Sequence, residues 1–260
     1  MTKPELDLIV EPPGRLRLPN VTLLSFDPVD PVAALRSLIW SRRHVDFAEV
    51  VLVTGTGALR RVSMEYASQN IKIRTPILDG RMLTAIGVRL LELDGIPQAR
   101  REGYELYHLQ YLPEWFMTSH VLYQEADGGV LNPQAWDSEW LGLDFIGAPW
   151  PYPMNEPDYP PCDAMNCVGN GGFSLRSMKL CHRLRYCLEA GTDVPQRFIS
   201  DAWIGRSMRP GLEQAGMLFA SHAEAERFSL ENRLASGQFG FHGHCTANLN
   251  GWDRSALKLL

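Results

Sequence analysis

The chain has 260 residues, enough for one large α/β domain or two small ones, and its 45% hydrophobic and 21% charged residues give the profile of a folded globular protein. A formal net charge of −5 provides no global attraction to nucleic acid. No apolar run reaches the roughly 20 residues that span a bilayer, and the opening MTKPELDLIVEPPGR lacks the long apolar core and cleavage site of a secretory signal, so a cytoplasmic location is expected.

Residues 1–18 are expected to be disordered or peripheral. VTLLSF (21–26) reads as a strand, stopped by Asp27 and Pro28. Residues 31–44 repeat apolar positions at helical spacing, with Pro at the start and basic residues at the end. EVVLVTG (49–55) is a second buried strand, 58–68 a short helix, IKIRTP (71–76) a third strand and RMLTAIGVRLLEL (81–93) another helix. This alternation predicts a mostly parallel central sheet with flanking helices, in which ligands bind at the carboxyl ends of the strands. A helix is expected over 109–118 and a fourth strand over HVLYQ (120–124), followed by strands over 143–150 and 171–177. Between the last two, residues 151–168 form a Pro-rich loop without a period. Helices are expected over 178–190 and from 199, and the chain closes on the aromatic, Gly-rich FGFHGH (239–244). With no repeat or linker in evidence, one domain over 1–260 is the simplest organisation.

Cys162, Cys167, Cys181, Cys187 and Cys245 make an odd count, and reduced thiols are expected without a signal peptide. Their spacing with His182 and HGHC (242–245) fits no common zinc pattern.

The chemically pointed feature is Glu125-x-Asp127, which leaves the fourth strand and runs into two glycines. In an extended segment residues i and i+2 project to one side, and two carboxylates there make a hard-oxygen site suited to Mn²⁺ or Mg²⁺ with diphosphate oxygens completing the shell. The plain alternative is an acidic turn, since Asp-Gly is a common turn pair.

Five segments in order, SHVLYQEADGGVLNPQAW (119–136), LDFIGAPWPY (143–152), VGNGGFSLRS (168–177), FSLENR (228–233) and FGFHG (239–243), resemble a little-characterised family of bacterial glycosyltransferases thought to share the GT-A, nucleotide-diphospho-sugar transferase fold. Residues 21–55 are similar to its opening βαβ unit. The resemblance implies transfer of a sugar from a nucleotide donor, such as a UDP-sugar, to an acceptor hydroxyl on a glycan, small molecule, protein or modified DNA. It aligns Asp127 with the aspartate of the family's Gln-aromatic-Asp-Gly signature, with Glu125 and Ala126 replacing the Gln and the aromatic. It implies that His242 completes the metal site, with His244 a weaker substitute, and that Asn170-Gly171-Gly172 cradles the donor sugar, the glycines permitting unusual backbone angles. Trp150 and Phe173 are candidates to line the same pocket or to be core. Ser200-Asp201 aligns with a Glu-Asp pair, making Asp201 the candidate base; a helix N-terminus is its plain alternative. Arg176 is a candidate partner for the diphosphate and Arg206 a weaker one. Asp27, at the end of the first strand, is placed for nucleotide binding or as a turn cap. A metal-dependent nucleotidyltransferase or hydrolase, and a non-catalytic sugar-nucleotide binding protein, are the competing functions.

Overall fold

The computed structural model of the chain describes residues 14–69, 78–97, 101–150, 158–161, 167–231 and 237–243. Its centre is a pair of eleven-residue parallel strands, β1 (Leu16–Phe26) and β2 (Val45–Gly55). Their second halves are unbroken runs of buried residues, as expected for strands covered on both faces. The expectation of a disordered or peripheral 1–18 is therefore wrong for its end: Leu16 pairs with Val45, and Leu18 is in the core.

Between these strands runs α1 (Pro31–His44). It is capped by the Asp30 carboxylate, which accepts from Ala33 N at 3.0 Å, and it ends on Arg42, Arg43 and His44. After α2 (Ala58–Gln69) the structure departs from the sequence expectation. The segment read as one helix over 81–93 is a short helix, α3 (Gly80–Ala85), followed by a strand, β3 (Arg89–Leu93), that pairs in parallel with β2. Gly87 causes the break. At φ +69° it takes the left-handed conformation that ends helices, and Val88 N then bonds back to Leu83 O at 2.9 Å. The strand expected over 71–76 lies outside the described residues.

The next helix, α4 (Arg101–Tyr111), lies earlier than expected, because Pro113 cannot continue it. Then follow β4 (His120–Gln124), β5 (Gly129–Val130), β6 (Phe145–Gly147), β7 (Phe173–Ser177) and α5 (Met178–Glu189). Of the strand expected over 143–150 only β6 forms. A single turn, α6 (Ser200–Ala202), widens into a π-helical stretch over Trp203–Met208 and tightens again in α7 (Arg209–Gln214). The last elements are α8 (His222–Phe228), β8 (Ser229–Glu231) and β9 (Gly240–His242).

The main sheet has the order β3-β2-β1-β4-β7-β6. The first four strands are parallel, β7 runs against β4, and β6 runs against β7, so five of the six point the same way. The fold is thus mixed α/β with a mostly parallel central sheet. A second sheet, β5-β9-β8, folds over the carboxyl end of β4. Aromatic packing fixes it there. Phe228 and Phe239, which lead into β8 and β9, lie 5.5 and 6.0 Å (ring centroids) from Phe173, and Trp140 meets Phe228 edge-on at 5.2 Å. Gly240 has no Cβ because Phe173 occupies that space.

Cys167 is disulfide-bonded, which corrects the expectation of reduced thiols at this position; Cys181 and Cys187 are free. Cys162 and Cys245 lie outside the described residues. Among the described residues no helix is long and apolar enough to cross a membrane.

Candidate metal centre

The acidic segment leaves β4 as a tight turn. Glu125 N donates to Gly172 O (2.8 Å), prolonging the pairing of β4 with the β7 side, and Gly128 N closes back on Glu125 O (3.1 Å). This corrects the extended geometry expected from sequence: Glu125 and Asp127 occupy the first and third positions of a turn. Side chains of α1 tether that turn. Ser37 Oγ reaches both Gly128 O and Glu125 O, and accepts from Gln124 Nε2 at 2.5 Å. Ser41 Oγ donates to Gln124 Oε1 (2.6 Å) and accepts from Val130 N (2.9 Å). These groups are buried, so leaving any of them unpaired would cost about 1–3 kcal/mol.

The second sheet delivers the histidine. β9 pairs with β5 through Gly129 and Phe241, and Gly243 N donates to Asp127 O at 3.1 Å. His242 Nε2 then lies 3.3 Å from Asp127 Oδ1 and 3.4 Å from Glu125 Oε2. Each of the three residues offers a ligand atom, and these atoms lie within 4.8 Å of one another. It is the one group of this kind among the described residues, and it contains no cysteine. Both carboxylates are about two-fifths exposed while the imidazole is largely covered, so the cluster opens outward on its acidic side. Two carboxylate oxygens and an imidazole nitrogen form a donor set that fits Mn²⁺ better than Mg²⁺. Without a cation, burial pushes the His242 pKa down. The carboxylates of Asp127, Glu125 and Glu231 outweigh that and hold it well above the ordinary value.

The Asn170-Gly171-Gly172 loop lies between this cluster and Asp201. Neither Gly171 nor Gly172 has a positive φ; Gly169, just before, does, at +147°. The expectation of unusual backbone angles at the paired glycines is therefore wrong, and close approach is what excludes a side chain. A Cβ on Gly172 would overlap the His242 imidazole, and one on Gly171 would lie 2.9 Å from Asp201 Cβ. Asn170 is buried and accepts from Gly172 N at 3.2 Å through its own side chain.

Asp201 sits in the first turn of α6. Its Oδ2 accepts from Gly171 N (3.0 Å) and its Oδ1 from Ala202 N (2.8 Å). The residue keeps some exposure, but its carboxylate is enclosed. Burial raises its pKa to about 6; the Gly171 hydrogen bond opposes this, and the negative charges of Glu105 and Glu125 add to it. Glu105 also holds the start of α6, accepting from Ser200 N at 2.8 Å.

The remaining sequence candidates lie deeper. Arg176 is 1% exposed, under the glycine loop. It lies over the Tyr123 ring at 4.7 Å, and Nη2 donates to Gly171 O at 3.3 Å. It thus faces the underside of the loop and not solvent. Arg206 is buried and donates to Pro160 O at 2.6 Å. Trp150 is packed against Gly169 and Gly205, and Phe173 belongs to the main core. Asp27 forms a turn, its Oδ1 accepting from Val29 N (2.8 Å) and Asp30 N (2.7 Å), and burial raises its pKa. His244 lies outside the described residues. Sequence reasoning missed Glu105 and Glu231; the latter falls inside the FSLENR segment. A cavity of about 480 Å³, lined by Asp158, Asp193, Gln196, Trp203, Ser207 and Met208 among others, includes none of the cluster residues.

Fold and site define a mixed α/β protein with a carboxylate–imidazole cluster at the carboxyl edge of a mostly parallel sheet. Residues 105–242 match the family described as "Protein of unknown function (DUF5672)". That stretch is more than half of the chain, and the chain belongs to this family. No curated protein matches it. Among solved structures it is similar to an active-site mutant of LgtC (13% identity, TM-score 0.49, 91% of this chain and 93% of that one). It is also similar to a glycosyltransferase involved in glycosylation of the major capsid of PBCV-1 (11%, 0.43, 92% and 96%). A third is the apo-form glycosyltransferase GlyE of Streptococcus pneumoniae TIGR4 (13%, 0.43, 92% and 56%). These are distant likenesses of chain course alone.

Proposed function

We propose that the protein is a GT-A-like, divalent-metal-dependent glycosyltransferase that moves a sugar from a nucleoside-diphosphate donor, a UDP-sugar, to an acceptor hydroxyl. The observation that carries this reading is the convergence of Glu125, Asp127 and His242 at the carboxyl edge of the sheet. A cation held there supplies Lewis-acid neutralisation of the departing diphosphate, an effect worth several kcal/mol. Asp201 is the proposed base. With a pKa of about 6 it is mostly ionised at neutral pH and still basic enough to take a proton from the acceptor hydroxyl. The Asn170-Gly171-Gly172 loop, lying between His242 and Asp201, is the proposed floor for the donor sugar. Arg176 supports that loop from below through Gly171 O. Asp27 is given no direct ligand contact: its carboxylate closes its own turn, its N–H donates to Val53 O and its carbonyl accepts from Thr54 Oγ1, so its part is to shape the end of β1.

The test is to incubate the protein with UDP-sugars and a pool of acceptors, with Mn²⁺ or with EDTA, and to follow nucleotide release. The expected result is metal-dependent, acceptor-dependent release of UDP. Losing several kcal/mol, Asp127→Ala should fall by at least about 100-fold. Unchanged turnover in Asp127→Ala would remove the cluster from the mechanism. Release of UMP in place of UDP would assign the site to nucleotidyl chemistry.

A further inference from the structure

We infer that Glu231 is a positioning residue of the metal centre: it holds His242 by the ring nitrogen remote from the cation, so that Nε2 is presented beside Glu125 and Asp127. The inference rests on the metal-binding part of the proposed function, and it gives a role to the FSLENR segment.

β8 and β9 pair in parallel with Glu231 opposite His242. Directly paired residues of neighbouring strands project from the same face, which brings Glu231 Oε1 to 3.6 Å from His242 Nδ1. The other ring nitrogen, Nε2, faces Asp127 and Glu125. The two nitrogens of one imidazole thus address different carboxylates. A nitrogen that ligates a cation carries no proton, so the neutral ring keeps its proton on Nδ1 and needs an acceptor there. Glu231 Oε1, 3.6 Å from Nδ1 and so just beyond hydrogen-bond length, is the carboxylate placed to be that acceptor. It is not one of the three residues whose ligand atoms converge, and its side chain is only 15% exposed. Its part is to select the tautomer and set the plane of the ring. Gly172 completes the arrangement by leaving the space in which Nε2 lies.

A purely structural Glu231 would instead tie β8 to β9, and its loss would lower stability without a specific effect on metal. The two roles separate in a Mn²⁺ titration of the full chain at fixed pH, following the electron paramagnetic resonance signal of free Mn²⁺. Thermal unfolding of each variant without metal runs alongside. Glu231→Ala is expected to bind Mn²⁺ about 10–100-fold more weakly. Glu231→Gln, whose amide oxygen still accepts from Nδ1, recovers part of that loss and guards against a variant that does not fold. The metal-free unfolding temperature of Glu231→Gln stays close to wild type. Wild-type Mn²⁺ affinity in both variants, beside a clear loss in Asp127→Asn, would overturn the role of Glu231 and leave the metal centre standing. Equal Mn²⁺ binding by wild type and Asp127→Asn would remove the metal centre, and the role of Glu231 with it.

Discussion

Asp201→Asn tests the electrostatics of the site without assuming any reaction. The carboxylate is enclosed against Gly171 and Ala202, and its pKa stands at about 6 against an ordinary 3.8, so the folded chain holds this proton more tightly than the unfolded one. For a raised carboxylate the sign is definite. The folded state is favoured most below the unfolded pKa, and that advantage is lost as pH rises through the folded value. The difference between about 6 and 3.8, at about 1.36 kcal/mol per pH unit, makes the full loss about 3 kcal/mol. By linkage roughly 1 kcal/mol of it is already gone at pH 4.5 and nearly all of it at pH 7.5. Asparagine keeps the shape without the charge. Its amide will suit one of the two backbone N–H donors poorly, a pH-independent cost of about 1 kcal/mol. The observable is therefore the slope: relative to wild type, Asp201→Asn should gain about 2 kcal/mol of stability between pH 4.5 and 7.5. Urea unfolding followed by tryptophan fluorescence at a series of pH values measures it. A stability difference constant across that range would refute the claim that Asp201 carries a buried, raised carboxyl.

Two further substitutions probe how the cluster is assembled. Gly172→Ala places a methyl where the His242 imidazole lies, so it should displace the ring, cost about 1–3 kcal/mol in urea unfolding and abolish Mn²⁺ binding; retained binding would show that Nε2 is not fixed there. Ser37→Ala leaves Gln124 Nε2 and Gly128 O without their shared partner, which should cost about 1–3 kcal/mol by urea unfolding and weaken Mn²⁺ binding by loosening the 125–128 turn.

How much of this was legible in the sequence depended on whether a signal was local. The helix over 31–44 was readable to the residue because Asp30, Pro31 and the basic last turn are local punctuation. The segment 81–93 was not. RMLTAIGVRLLEL carries apolar residues at helical spacing throughout, and only the left-handed Gly87 decides that its second half becomes a strand. At the site, Glu125 and Asp127 stood out as two acids separated by one residue at a strand end. His242 was suggested by family resemblance and is brought to them by the β5–β9 pairing. Glu231 gave no sign of its place, because a single Glu in a three-residue strand acquires meaning only from its register with His242. Arg176 misled in the opposite direction. A charge beside a glycine loop reads as a ligand, whereas β7 is buried along its whole length and the guanidinium packs on the ring of Tyr123.

The acidic groups at this edge of the sheet explain why so much local structure is devoted to holding them. Burial raises the pKa of both Asp27 and Asp201; the charge of Glu125 adds to this at Asp27, and those of Glu105 and Glu125 add to it at Asp201. Glu125, Asp127 and Glu231 share a single imidazole. Like charges brought together repel, and in a partly desolvated site that repulsion is weakly screened. Backbone bonds restrain them. Ser37 and Ser41 hold the turn from α1, Gly171 N holds Asp201, and Gly243 N holds Asp127 O. The fold therefore accepts an electrostatic cost at one edge that a divalent cation between Glu125 and Asp127 would relieve. Under the proposed function, the same restraint would make the cluster a preorganised site for such an ion.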